Sequence, residues 1–220
     1  MKNILLATFA GLVFLSSSVL AESFRATTLR AAPGQLEGLL EEVKSYRKTK
    51  RGKVIIMRHS QGDHWDLMLL EPAGREYADM TDFSSTADFQ HSFLADCNTK
   101  FRQLKASADE AGLYHIEMFH ALAGKKQALL DQREGENEYL KTTGQTINSI
   151  FVTRFGSDVD VFTIGFHADM TAFAKGPSVS DEEAELAARK AGFKNRADLG
   201  FYLRSLLTSH YDTLAVPIAP

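Results

Sequence analysis

Two stretches in opposite halves of the chain carry one order of residues. "VIIMRHSQGDHWDLMLLEP", Val54 to Pro72, and "IFVTRFGSDVDVFTIGFHA", Ile150 to Ala168, each run from an apolar stretch through an arginine, a Gly-containing polar turn and an aspartate into a second apolar stretch. Apolar runs of strand length on either side of a polar glycine turn predict a β-hairpin. An isolated hairpin is barely stable in water, so a repeated one demands a larger sheet that both copies join.

The flanking segments repeat as well. Phe24 to Arg30 predicts a strand, and "PGQLEGLLEEVKSYRKTK" after it places Leu36, Leu39, Leu40 and Val43 at helical spacing. In the second half Tyr114 to His120 predicts a strand and "AGKKQALLDQREGENEYLKTTG" a helix closed by Gly144. Between the units, after a polar stretch around "GREYADMTDFSS", Phe89, Phe93, Leu94, Phe101 and Leu104 predict a helical region over Ala87 to Ala108. Ser180 with Glu183 predicts a capping box, Gly192 a break, and Arg196 to His210 a further helix before the closing strand "TLAVPI". The order strand, helix, hairpin, helix occurs twice. It predicts an α+β chain of two tandem ferredoxin-like repeats that cover each other's open sheet face, a pseudo-dimeric α/β barrel within one chain. Seven strands are legible where two complete units need eight.

The opening "MKNILLATFAGLVFLSSSVLA" joins Lys2 to an apolar core and then to small residues, the pattern of a signal peptide cut after Ala21. Its apolar run is shorter than the ~20 residues a membrane-spanning helix needs. The expected divisions are therefore a signal peptide over 1–21, a first repeat over 22–110 and a second over 111–220, with a periplasmic or secreted product free of the membrane. Without Lys2 the remaining chain has 24 of the 25 Lys+Arg against 28 Asp+Glu. A mildly acidic chain with no basic run interleaved with aromatics argues against a nucleic-acid partner. The single cysteine, Cys97, permits no intramolecular disulfide, and the seven histidines have no cysteine partners for a structural zinc site, so no metal is expected.

The segment "HALAGKKQALLDQRE", with its counterpart "RAAPGQLEGLLEEV", resembles the strand to "PGK" to helix opening of dimeric α/β-barrel proteins. NIPSNAP-like and antibiotic-monooxygenase-like members are the nearest in pattern, with chlorite dismutases and dye-decolourising peroxidases as more distant tandem versions. The resemblance implies the fold over most of the chain. It does not single out one function, since members include monooxygenases, haem-binding enzymes, isomerases, decarboxylating enzymes and proteins without known activity. No catalytic residue carries over by motif.

Candidate residues come from pattern. The hairpins place Arg58 opposite Asp66 and Arg154 opposite Asp160, as cross-strand pairs that fix register or as anion-binding arginines. After Leu129 and Leu130 the second-half helix interrupts its apolar spacing with Arg133, Glu136 and Asn137 before Tyr139. These polar groups share one side of the helix, either a solvated face or the lining of a helix–sheet pocket. In "YHIEMFH" His115 and Glu117 share a strand face, as solvent-facing residues or as an acid–base or ligand pair. His210 stands at the end of a predicted helix, where the resemblance implies a haem axial ligand in tandem relatives; a dipole-stabilised histidine reads the same. The expected function is an exported protein that binds, or transforms without cofactor, a small, partly apolar ligand. Glu136, His115 and Glu117 are the expected catalytic residues, and Arg133, Asn137, Tyr139, Arg154 and His210 the expected ligand-binding ones. A non-catalytic interaction protein and a haem-binding protein are the alternatives. Fusion of the halves predicts a monomer.

Overall fold

A computed structural model describes residues 21–74 and 81–218. Both hairpins form: β2 (Ile55–Gln61) turns into β3 (Leu67–Pro72), and β6 (Ser149–Phe155) into β7 (Val161–His167). The first unit adds β1 (Glu22–Ala31), α1 (Leu36–Thr49), β4 (Ala87–Cys97) and α2 (Phe101–Glu110). The second adds β5 (Leu113–Ala121), α3 (Lys126–Thr142), the short α4 (Met170–Ala174), α5 (Asp181–Lys190), α6 (Asp198–Ser205) and β8 (Leu207–Pro217). All eight strands close into one antiparallel barrel in the order β1-β3-β2-β8-β5-β7-β6-β4. The strands of each half lie side by side in one order, β4-β1-β3-β2 and β8-β5-β7-β6, and β2–β8 and β4–β6 are the two seams. Residues 1–20 of the predicted signal peptide and part of the polar stretch before β4 lie outside the described residues.

The eighth strand is β4, where the sequence predicts a helix. Phe89 and Phe93 are four apart, a spacing that suits one helix face and one strand face alike. The deciding pattern is the alternation Phe89, His91, Phe93, Ala95, Cys97, with Phe93, Ala95 and Cys97 buried together in the barrel interior. The helix starts only at Phe101, past Asn98 and Thr99. Leu104 and Ala108 of α2 join that interior cluster.

Side chains fill the barrel, as expected for eight strands. Phe24, Met57, Met68, Leu70, Phe93, Ile116, Phe151, Phe162 and Ile164 form its core with Trp65, and Phe151 stacks on Phe162 with centroids 4.5 Å apart. Outside, Leu39 and Val43 of α1 are fully buried against Leu29, Leu67 and Leu69. Each of these two contributes about 1.5–3 kcal/mol by leaving water. Gly34 and Gly124, at φ 78° and 75°, make the same turn into α1 and α3. At the later helices the Ser180–Glu183 capping box forms as expected.

The hairpin register differs from the expected one. Arg58 pairs with Leu67, not with Asp66, and is exposed. Asp66 instead accepts from the Ala31 amide at 2.8 Å, and Asp160 from the Ala121 amide at 2.9 Å. Arg154 reaches Asp96 on β4 at 2.5 Å and is exposed at the β4–β6 seam. Counting symmetrically about the turn assumes a register that the turn geometry does not give, and a slip of one residue reverses every facing pair. The repeated aspartate holds the end of a neighbouring strand; it does not hold the arginine.

Candidate functional site between α3 and the barrel

The helices α1 and α3 start at equivalent residues, Leu36 and Lys126, so Arg133 stands where α1 has Val43, and Glu136 where it has Tyr46. Arg133 points inward. Its side chain is 2% exposed, and its guanidinium lies 4.9 Å from the ring centroid of Phe119. Arg133 Nε donates to Gln132 Oε1 at 2.7 Å, and Gln132 Nε2 donates to the Leu199 carbonyl at 3.0 Å. The two terminal nitrogens of Arg133 meet Glu117 Oε2 at 3.4 Å and the Glu136 carboxylate. A guanidinium this deeply buried is tolerable only because carboxylates and polar groups meet its donors.

The outer face of the sheet completes the cluster. His115 and Glu117 alternate on β5 toward the helix, while Ile116 and Met118 turn into the barrel core. Thr163 of β7 donates to Glu117 Oε2 at 3.1 Å. Across the β5–β8 ladder Glu117 faces Asp212. Asp212 Oδ1 is 3.3 Å from His115 Nε2, and Asp212 Oδ2 is 3.1 Å from His210 Nε2. Burial alone would pull the His115 pKa down; the bond to Asp212 and the charges of Glu117 and Asp212 outweigh it and lift His115 above its ordinary value. Burial raises the Glu136 carboxyl, against the pull of Arg133. Asp212 is lowered, chiefly by its bond to His115.

A cavity of about 360 Å³ opens onto this cluster. His115, Glu117 and Glu136 line it together with His167, Asn148 and Phe173. Phe173 on α4 rests against both imidazoles, 5.0 Å from the His115 centroid and 5.2 Å from that of His167. Gly165 makes room: a Cβ there would stand 2.8 Å from both Asn148 Oδ1 and His167 Nε2.

Of the expected site residues, Glu136, His115, Glu117 and Arg133 converge here. Asn137 clamps Asn148, donating to its carbonyl at 2.7 Å and accepting from its amide at 2.8 Å, and so ties α3 to the start of β6. Tyr139 faces away and packs against Ala184, Ala187, Ala188 and Phe193. Arg154 lies at the seam described above. His210 is inside β8, not at the end of a helix; Arg204 meets its Nδ1 at 2.8 Å and Asp212 its Nε2, while Phe119 stacks on it. Both ring nitrogens are engaged. Asp212, Gln132, Thr163 and His167 were not anticipated. Asp212 was hidden because the last strand reads as starting at Thr213; the alternation Tyr211, Thr213, Ala215 carries the strand back and places His210 and Asp212 together on the opposite face.

The sequence matches no protein-family model and no curated protein. Solved structures do match. An anthrone oxidase-like protein superposes with a TM-score of 0.60 at 11% identity, over 90% of this chain and 92% of that one. A candidate monooxygenase from Fusobacterium nucleatum gives 0.57 at 9% identity, over 90% and 93%. A mutant chlorite dismutase from Candidatus Nitrospira defluvii gives 0.51 at 13% identity, over 90% and 91%. At these identities the likeness establishes the fold, that of the dimeric α/β-barrel proteins, and leaves function to be argued from the site.

Proposed function

We propose that the protein is an exported small-molecule enzyme of two tandem ferredoxin-like repeats, with residues 1–21 a signal peptide, and that the cavity between α3 and the β5–β7 face is its site. The observation that carries this is an opening of about 360 Å³ lined by His115, Glu117 and Glu136, with Asp212 beside His115 and the buried Arg133 behind the two glutamates. A pocket of this size accommodates a small ligand. With Asp212 Oδ1 3.3 Å from Nε2, a proton carried on Nε2 leaves Nδ1 as the nitrogen that can act as a general base. Glu136 and Glu117, held by Arg133, supply a second carboxyl site for a proton. Phe173 offers the ligand an apolar wall. The reading is a proton-transfer reaction, of cofactor-free monooxygenase or isomerase type, on a small, partly apolar molecule with an acidic C–H or O–H bond. The anthrone oxidase-like and monooxygenase-named proteins of the same fold agree with that class. Fusion of the halves supports a monomer, and the mildly acidic charge balance supports the absence of a nucleic-acid partner.

Haem, which some members of the fold imply, does not fit the residue expected to ligate it, because Arg204 and Asp212 occupy both His210 nitrogens. The test is native mass spectrometry and absorbance of the purified protein with a panel of small phenols and enolisable carbonyl compounds. Binding is expected in the wild type and is expected to be lost in Ala172→Trp, which fills the cavity from α4, with the melting temperature unchanged. Binding that survives Ala172→Trp moves the site elsewhere, and no binding at all favours a structural or interaction role.

A further inference from the structure

We propose that His115, Glu117 and Asp212 form a site for one divalent transition-metal ion beside the same cavity, which His115 and Glu117 line. Their ligand atoms all lie within 4.8 Å of one another. His115 Nε2 and Asp212 Oδ1 are 3.3 Å apart. Two ligands ~2.1 Å from a tetrahedral ion stand about 3.4 Å apart, so this pair needs no movement to share one. The third ligand is prepared by its neighbours. Thr163 and Arg133 both bond Glu117 Oε2, which leaves Oε1 without a hydrogen bond among the described residues. Asp212 is steadied likewise, with Oδ2 at 3.1 Å from His210, which is itself met by Arg204. Carboxylate ligands held through their second oxygen, and an acidic ligand backed by histidine, are the outer contacts that orient metal ligands.

Charge points the same way. Three carboxylates, Glu117, Glu136 and Asp212, stand against two guanidinium groups, Arg133 on the first two and Arg204 behind His210, and the exposed Lys175 lines the cavity. A cation between His115 and Asp212 would take the place of the proton on Nε2, releasing it to solvent and offsetting the excess. One imidazole with two carboxylates suits zinc, manganese or iron(II) and not a soft thiophilic ion. The cavity side remains open for water or a substrate oxygen. The inference is separable from the proposed function: a metal site can exist without turnover, and acid–base turnover without a metal.

The experiment titrates cobalt(II), then zinc(II), into chelator-stripped full-length protein at neutral pH. Cobalt(II) absorption reads binding, and histidine NMR signals read location. One equivalent is expected to bind and to broaden the His115 resonances before those of His64 and His91. Asp212→Asn and Glu117→Gln are each expected to weaken binding at least tenfold, with His64→Ala unchanged. No cobalt(II) absorption, or a bound ion that broadens other histidines first, overturns the proposal. Because the NMR arm uses wild-type protein, a variant that fails to fold does not spare the claim. Ligand binding that persists in the metal-free protein would leave the acid–base reading standing on its own.

Discussion

Each half of the barrel buries a polar cluster under its long helix, but among the described residues only the second-half cluster has open space beside it. Under α1, Arg25 of β1 meets Glu71 of β3 at 3.4 Å, and Tyr46 donates to both Glu71 oxygens at 3.0 and 2.9 Å. Burial, with the Glu71 charge next, raises the Tyr46 hydroxyl above its ordinary value. Phe83, 2% exposed, lies edge-on to Tyr46 and closes the cluster, leaving about 10 Å³. Under α3 the cation has moved from strand to helix, and it meets one acid on the strand, Glu117, and one on the helix, Glu136. Gly165 stands on β7 where Glu71 stands on β3, and the opening is about 360 Å³. Polarity therefore does not separate the halves. The difference is the aromatic plug Phe83 on one side and an open cavity lined by His115, Glu117 and Glu136 on the other.

The largest expected effect tests how far the α3 cluster depends on its cation. Arg133→Ala leaves Glu117 and Glu136 facing each other without a counter-charge, at a cost of about 3–5 kcal/mol. Chemical denaturation measures it, and a loss below about 1 kcal/mol would mean that water already compensates the acids. Next, Phe83→Ala is expected to cost about 3 kcal/mol and to open a cavity under α1. If stability barely changes, or no small probe enters, Phe83 is not the plug. Arg25→Ala should cost less, about 1–3 kcal/mol, because Tyr46 still holds Glu71. A loss matching that of Arg133→Ala would make the two clusters energetically alike and weaken the contrast. Smallest of all, Arg58→Ala is expected to stay within about 0.5 kcal/mol, since the side chain is exposed and Asp66 bonds to backbone; a larger loss in a melting experiment would restore the cross-strand pair.

Much of this architecture was legible in the sequence, and the misses have physical causes. The repeated hairpins and the glycine-led helices declared the barrel, because both periodicities are written in consecutive residues. The interruption of apolar spacing at Arg133 and Glu136 left a solvated face and an inward polar patch both open, and the structure brings these side chains together beneath the helix. The strand β4 was misread because Phe89 and Phe93 suit both periods. Asp212 and Tyr46 escaped notice for another reason: their roles come from partners distant in the chain, His115 and Glu71, which local spacing cannot bring together. The plug has the same character, since Phe83 acts on Tyr46 from a segment with no periodic signal.

The central claim is that the second half holds a ligand site that the first half has closed. A crystal structure of the wild-type protein soaked with phenol tests it most directly. Phenol is expected between α3 and the β5–β7 face, in contact with Phe173 and within hydrogen-bonding reach of His115 or Glu136, with none under α1. Phenol bound beneath α1, or excluded from both helices, would contradict it.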